Sequence, residues 1–138
     1  VQQAQDLASA TQASFRNDAD VQLSLGAWFE EQGSIAKSDE CFSRAFEIDP
    51  EHPGAIRAEG VGLIAQGRIE EAQTLLGKLA PPSPHYDPAI FFLLAQAYQE
   101  RNQHPQAIEL FDMIKSSSPD WAKEKSFRKA EKKSRKLV

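Results

Sequence analysis

The side chains of this sequence that could act as nucleophiles, general bases or metal ligands are scattered rather than grouped. His52, His85 and His104 lie in or near segments that read as turns between helices, and none has a His, Cys or carboxylate at metal-ligand spacing. The acids come in adjacent pairs such as Glu30-Glu31. Neighbours on a helix point about 100° apart, which makes them poor partners for acid–base catalysis. We therefore expect no catalytic site, no metal site and no cofactor.

Cys41 is the only cysteine, so no disulfide can form within the chain. Leu75 and Leu110 stand at the equivalent positions of the repeats described below, which indicates a packed, apolar thiol. There is no apolar run long enough to cross a bilayer. We expect a soluble protein of the cytoplasm, with the periplasm as the alternative. Because the chain starts at Val1 and has no signal-peptide pattern, we also expect a processed product or a fragment of a larger protein.

The sequence repeats itself every 34 or 35 residues. Within each repeat the apolar residues have the spacing of a helix rather than the alternation of a strand. Small and apolar residues return in one order: Gly26, Gly60 and Ala95; Phe29, Leu63 and Tyr98; Gly33, Gly67 and Asn102; Ser38, Ala72 and Ala107; Phe42, Leu76 and Phe111; Pro50, Pro84 and Pro119. Small residues let two helices approach closely, and large apolar ones fill the space between them. Glycine or asparagine suits a left-handed turn, and proline ends the second helix of each segment.

This period and order of residues resemble the tetratricopeptide repeat (TPR), a helix–turn–helix unit, over roughly residues 19–119. The resemblance implies an all-α fold, a right-handed α-solenoid of about three TPR repeats with flanking N- and C-terminal helices. We predict repeats at 19–52, 53–87 and 88–121, which together fill 19–121. Residues 1–18 are predicted to form an N-terminal helix with the character of a partial repeat, and residues 122–138 a basic C-terminal capping helix.

The flanking helices and one loop carry patterns of their own. A single repeat cannot bury its apolar face, so both flanks should act as caps. Their predicted apolar stripes are Ala4, Leu7, Ala8, Thr11 and Phe15 in the first helix, and Phe127, Ala130, Ser134 and Leu137 in the last. The prolines between Leu79 and Pro88 predict that the helix beginning near Ile69 ends by Leu79 and is followed by a stiffened loop.

The net charge of −4 conceals an uneven distribution. Residues 1–121 hold eight Lys/Arg against eighteen Asp/Glu, a net charge of −10, whereas residues 122–138 carry a net charge of +6. The basic residues of this end are Lys123, Lys125, Arg128, Lys129, Lys132, Lys133, Arg135 and Lys136. Such a segment could tether nucleic acid or an anionic membrane, or contact an acidic partner. The alternatives are an ordinary solvated helix and a helix held against the acidic body of the chain.

In proteins that this chain resembles, the first helices of successive repeats line a concave groove that binds a peptide or helix of a partner. The resemblance places nine residues in that peptide-binding groove: Leu23, Ala27, Glu30, Arg57, Val61, Ile64, Phe92, Gln96 and Gln99. The lysines and asparagines that clamp chaperone tails in one TPR subclass are missing. We therefore predict a non-catalytic protein–protein interaction scaffold, with an unidentified protein or peptide as partner. Self-association is the alternative, and Leu23 and Phe92 could instead be covered by neighbouring helices or by the chain's own terminus.

Overall fold

Eight α-helices form the fold over residues 2–138, the part of the chain that the computed structural model describes. They are α1 (Gln2–Ser14), α2 (Ala19–Glu31), α3 (Ile35–Ile48), α4 (Pro53–Ala65), α5 (Ile69–Leu76), α6 (Pro88–Glu100), α7 (His104–Ser117) and α8 (Lys125–Lys136). A 3₁₀ turn at Gly77–Leu79 follows α5, so the predicted end of this segment is confirmed. The chain divides into two units, one ending at Gly62 and one spanning Leu63–Val138.

The turn inside each helical pair has one construction, used three times. Gly33 and Gly67 both have φ of +79°, and Asn102 has φ of +59°, as the sequence predicts for left-handed turn positions. After α2, the amide N–H of Ser34 donates to the carbonyl oxygen of Phe29 at 2.9 Å, and Gly33 donates three residues back at 3.0 Å. The same two bonds close the turns after α4 and α6. This Schellman pattern satisfies carbonyls that a helix end leaves unpaired.

The first helix of each pair begins on a side chain that accepts a backbone N–H. Asp18 accepts at 3.1 Å from the residue three positions on, and Asp87 at 2.9 Å from the residue two positions on. At α4 the cap is His52, whose Nδ1 accepts from the N–H of Gly54 at 3.0 Å. Its Nε2 therefore carries the proton and lies 2.7 Å from an Asp20 carboxylate oxygen. The histidine is therefore a helix cap.

In the unit that ends at Gly62, α2 and α3 pack closely because small residues line their contact. A Cβ built on Gly26 would lie 2.5 Å from the Phe42 ring, so only glycine fits there without moving that ring. Phe29 and Cys41 are fully buried. Burial, with a smaller effect of neighbouring Glu40, raises the pKa of the Cys41 thiol to about 11. The thiol therefore remains protonated near neutral pH and packs as an apolar group, as the sequence predicts.

The unit Leu63–Val138 has a larger and more aromatic core. Leu76, Leu94, Phe111, Ile114 and Phe127 are all fully buried in it. These side chains come from α5, α6, α7 and α8, so the last helix is part of the core of its unit. Fully burying each such side chain contributes about 1.5–3 kcal/mol.

The predicted stripes of the flanking helices are only partly correct. In α1, Ala8 is buried but Leu7 is 69% exposed, and Phe15, just beyond the end of α1, is 50% exposed. The inward face of α1 instead carries small and polar side chains at Gln5, Ala8, Ser9 and Gln12. In α8, Phe127 and Ser134 are buried as predicted, whereas Leu137 is 61% exposed because the helix ends one residue before it.

Candidate protein-binding surface

Five of the nine predicted groove residues belong to the unit that ends at Gly62, on α2 and α4. Ala27, Glu30 and Arg57 are exposed, and Leu23 and Val61 are half-buried. The starts of α2 and α4 lie close together, because a Cβ on Gly54 would sit 3.0 Å from Leu23 Cδ1. In this unit the predicted positions therefore present an acid, a cation and small or partly covered apolar groups to solvent.

The other four predicted residues lie in the unit Leu63–Val138, and two of them line one open depression. Ile64 near the end of α4 and Gln96 on α6 are part of its wall. The depression has a volume of about 360 Å³, and its lining residues are Ile64, Ala65, Gly67, Ile69, Leu93, Gln96, Ala97, Glu100 and Arg101. Leu93 is 38% exposed in this depression and Glu100 is exposed at its edge. The depression therefore exposes an apolar side chain beside a carboxylate.

The other two predicted residues, Phe92 and Gln99, are occupied within the chain itself. The Phe92 ring centroid lies 5.1 Å from that of Trp121 and 5.7 Å from that of Phe127. Gln99 is 9% exposed, and its amide donates to the Ala130 carbonyl and to Ser134 Oγ, both at 2.7 Å. The C-terminal segment therefore covers this end of α6, the alternative that the sequence raised for Phe92.

Leu93 is the exposed large apolar residue among the lining residues that the predicted site set did not include. It stands in the apolar run from Ile90 to Leu94, in which every face of the helix carries an apolar side chain. Periodicity cannot say which member of such a run faces solvent. The repeat register predicted that Phe92 faces the groove. In the structure Phe92 instead packs against Phe127 of α8, and Leu93 is left exposed.

An ion pair fixes one edge of the depression. Arg101 Nη1 lies 3.1 Å from an oxygen of Glu70 on α5. Hydrogen bonds from the backbone and from Arg101 lower the pKa of the Glu70 carboxyl. The Glu70 carboxyl therefore remains charged at neutral pH, so this edge is polar while the wall at Ile64 and Leu93 is apolar.

The groups that could do chemistry elsewhere remain apart. His104 is buried, with Nδ1 2.9 Å from Ser134 Oγ. Across residues 2–138, no three His, Cys, Asp or Glu side chains come together in a way that could hold a metal ion. Within those same residues, none of the helices has the length and apolar character needed to cross a membrane.

The eight basic residues predicted for the C-terminal segment fall on α8 and on the short turn before it. Two of them are paired inside the unit. Arg135 Nη2 lies 2.9 Å from Glu131 and 2.5 Å from Asp112, and Lys123 lies 3.1 Å from Asp120. The other six, all exposed, are Lys125, Arg128, Lys129, Lys132, Lys133 and Lys136.

Comparison with known proteins agrees with this architecture. A family model described as tetratricopeptide repeat matches residues 63–125. A solved structure named MamA MSR-1 C2 is similar with a TM-score of 0.62, covering 87% of this chain and 76% of that chain. The two are 19% identical, so the likeness concerns the fold. No curated protein matches the chain.

The repeats also bear on function in general terms. TPR proteins are typically non-catalytic, and the repeats support a protein-interaction scaffold whose partner is a protein. The predicted all-α TPR fold is confirmed by the helices and by the structural likeness. Residues 63–125 therefore match the tetratricopeptide repeat family directly, and the wider chain shares the fold of a TPR protein.

Proposed function

We propose that this protein is a non-catalytic interaction module that binds a peptide or helix of a partner protein on the first helices of its repeats. The observation that carries the proposal is the depression in which Leu93 lies exposed beside Ile64. Partner helices and extended peptides commonly bind by placing a few apolar anchors in such a site. Glu100 at the edge favours a partner with a Lys or Arg next to its apolar anchor.

The predicted contacts divide between the two units. In the unit Leu63–Val138 the proposed contacts are Ile64, Leu93, Gln96 and Glu100, and Phe92 and Gln99 are left out because α8 covers them. In the unit that ends at Gly62, exposed Ala27, Glu30 and Arg57 are proposed as partner contacts, with half-buried Leu23 and Val61 behind them.

Leu93 is the sharpest residue for a test. Ile64 packs against the core of its unit, so replacing it would change stability as well as binding. Leu93→Asp changes a side chain that is already partly in water. Leu137→Asp is the matched control, because it makes the same substitution at an exposed leucine of the same unit outside the depression.

The probe is a peptide selected from a displayed random library against the wild-type chain. Losing the burial of one leucine side chain costs about 1.5–3 kcal/mol, so Leu93→Asp should weaken the selected peptide about 10- to 100-fold. Leu137→Asp should bind as the wild type does. Circular dichroism verifies that both variants keep their helicity. Equal binding by all three proteins, or a library that yields no binder, would count against the depression as a peptide site.

A further inference from the structure

The six exposed cations of α8 lie on one side of the helix, opposite its buried side. At 100° per residue, Lys125, Lys129, Lys132 and Lys136 fall within about 60° of one another, and Arg128 and Lys133 widen the arc to about 140°. Phe127 and Ser134, the buried residues of α8, point about 180° away from the centre of that arc. Over the 11 steps from Lys125 to Lys136 this basic face is about 16 Å long.

These six side chains differ from the other cations of the segment in having no partner. Lys123 and Arg135 form ion pairs with acids of their own unit. Within residues 2–138, no hydrogen bond or ion pair joins any of the six to another side chain. Glu131, the acid inside the helix, forms its ion pairs with Lys115 and Arg135 rather than with any of the six.

The helix that displays these cations is held firmly in its unit. Phe127 packs against Phe111 at 5.3 Å and Trp121 at 5.8 Å between ring centroids. The Gln99 amide and His104 bond to Ser134 from the repeat beneath. Six charges on a fixed helix form a preorganised surface, so binding a ligand there requires little ordering of the backbone.

We propose that the basic face of α8 binds an acidic peptide segment of a partner protein. Same-side residues of an extended peptide repeat about every 6.6 Å, close to the roughly 6 Å between cations four residues apart on α8. A carboxylate at alternate positions of the peptide would therefore meet successive cations. This inference is independent of the depression at Leu93 and of the function proposed for it.

Charge and composition favour a peptide over a nucleic acid or a membrane. The basic face has no aromatic side chain on which bases could stack, because Phe127, the aromatic residue of α8, is buried. Residues 1–121 carry a net charge of −10, which repels a long polyanion such as duplex DNA more strongly than a short acidic segment with fewer charges. The apolar side of α8 is in the core and cannot insert into a bilayer.

The test uses a fluorescent synthetic peptide of about twelve residues, long enough to follow the whole face, in which Glu alternates with Ser. Its control replaces every Glu with Gln. The full chain is compared with Lys129→Glu/Lys132→Glu and with Arg16→Glu/Lys37→Glu, a double variant with the same change in net charge outside α8. Duplex DNA and phosphatidylserine vesicles are titrated in parallel, and circular dichroism verifies folding.

We expect the Glu peptide to bind the wild type, with affinity falling as salt rises. The Gln peptide should not bind, the Lys129/Lys132 variant should bind at least about tenfold more weakly, and the Arg16/Lys37 variant should stay near wild type. Absent peptide binding at low salt, or equal loss in both double variants, would overturn the proposal. So would tighter binding of DNA or vesicles through the same lysines, or self-association that the Lys129/Lys132 change abolishes.

Discussion

The two terminal helices flank their units in very different ways. α1 buries Ala8 and leaves Leu7 and Phe15 in solvent. It is held by polar contacts, chiefly the Gln22 amide, which donates to two backbone carbonyls near the end of α1 at 3.1 and 2.9 Å. α8 buries an aromatic ring and a hydroxyl at the centre of its contact with α6 and α7.

This difference teaches that a flanking helix becomes part of the core only when its large apolar residue lies on the inward face. Phe127 does so and completes an aromatic cluster with Phe92, Phe111 and Trp121. Phe15 lies one position beyond the end of α1 and does not. The sequence assigned both helices the same capping role, yet α8 should contribute far more to the stability of its unit.

Truncating the two phenylalanines gives the largest expected contrast. Phe127→Ala removes a fully buried ring and should lower the free energy of unfolding of its unit by about 3–5 kcal/mol. Phe15→Ala removes a half-exposed ring and should cost less than about 1 kcal/mol. Each unit has one tryptophan, Trp28 or Trp121. Urea unfolding followed by the tryptophan of the same unit, with the other replaced by Phe in variant and reference alike, measures each effect.

Similar losses for the two phenylalanine variants would contradict the comparison. They would mean that Phe15 is covered in solution or that Phe127 is replaced easily by its neighbours. A Phe127→Leu variant separates these outcomes, because it keeps most of the apolar volume and should recover a large part of the loss.

The buried hydrogen bonds of Ser134 should contribute an intermediate amount to the stability of the unit that contains α8. Ser134 Oγ accepts from Gln99 and pairs with His104, all in a buried site. Ser134→Ala leaves those partners without that bond in the core and should cost about 1–3 kcal/mol in urea unfolding. Ser126→Ala, at an exposed position of the same helix, should change stability by less than about 0.5 kcal/mol. If Ser134→Ala left the free energy of unfolding unchanged, water or a rearranged Gln99 would have to replace the hydroxyl.

The sequence could predict the features in which one residue type has one physical use. Gly33, Gly67 and Asn102 occupy left-handed turns, and Phe29 and Tyr98 are buried, because few alternatives satisfy those positions. The all-helical fold, the end of the helix that begins at Ile69 and the buried thiol follow from the same kind of signal. These features concern local backbone and the inside of one helical pair.

The candidate site was harder to predict because it depends on what lies next to each helix. Gln99 reads as a surface amide until α8 is seen to receive its hydrogen bonds. Leu7 reads as core until no neighbouring element is found to cover it within the described chain. Leu93 is lost in a run of apolar residues. The exposure of these side chains depends on tertiary packing, so it cannot be predicted from the repeat period alone.

The ion pairs of α8 give the smallest expected effect and a dependence on pH. Glu131 lies 3.0 Å from Lys115 and 2.9 Å from Arg135. Burial raises the pKa of the Glu131 carboxyl, but hydrogen bonds from these two cations outweigh it, so the pKa falls below its ordinary value of 4.5. A carboxyl with a lowered pKa stabilises the fold above its unfolded-state pKa and loses that contribution as pH falls through its folded-state value.

Glu131→Gln should therefore destabilise the unit at pH 7 by less than about 1 kcal/mol, and this difference from wild type should shrink below about pH 4.5. Glu124→Gln, at an exposed acid just before α8, is the control for losing one negative charge. Melting temperatures of the three proteins from pH 7 to pH 3 measure the effect. α1 is attached chiefly through hydrogen bonds of the Gln22 amide, which does not titrate. The attachment of α1 should therefore change less than that of α8 as the pH falls. A wild-type advantage over Glu131→Gln that grows toward pH 3 would have the wrong sign for this ion-pair cluster and would remove it from the account of how α8 is held.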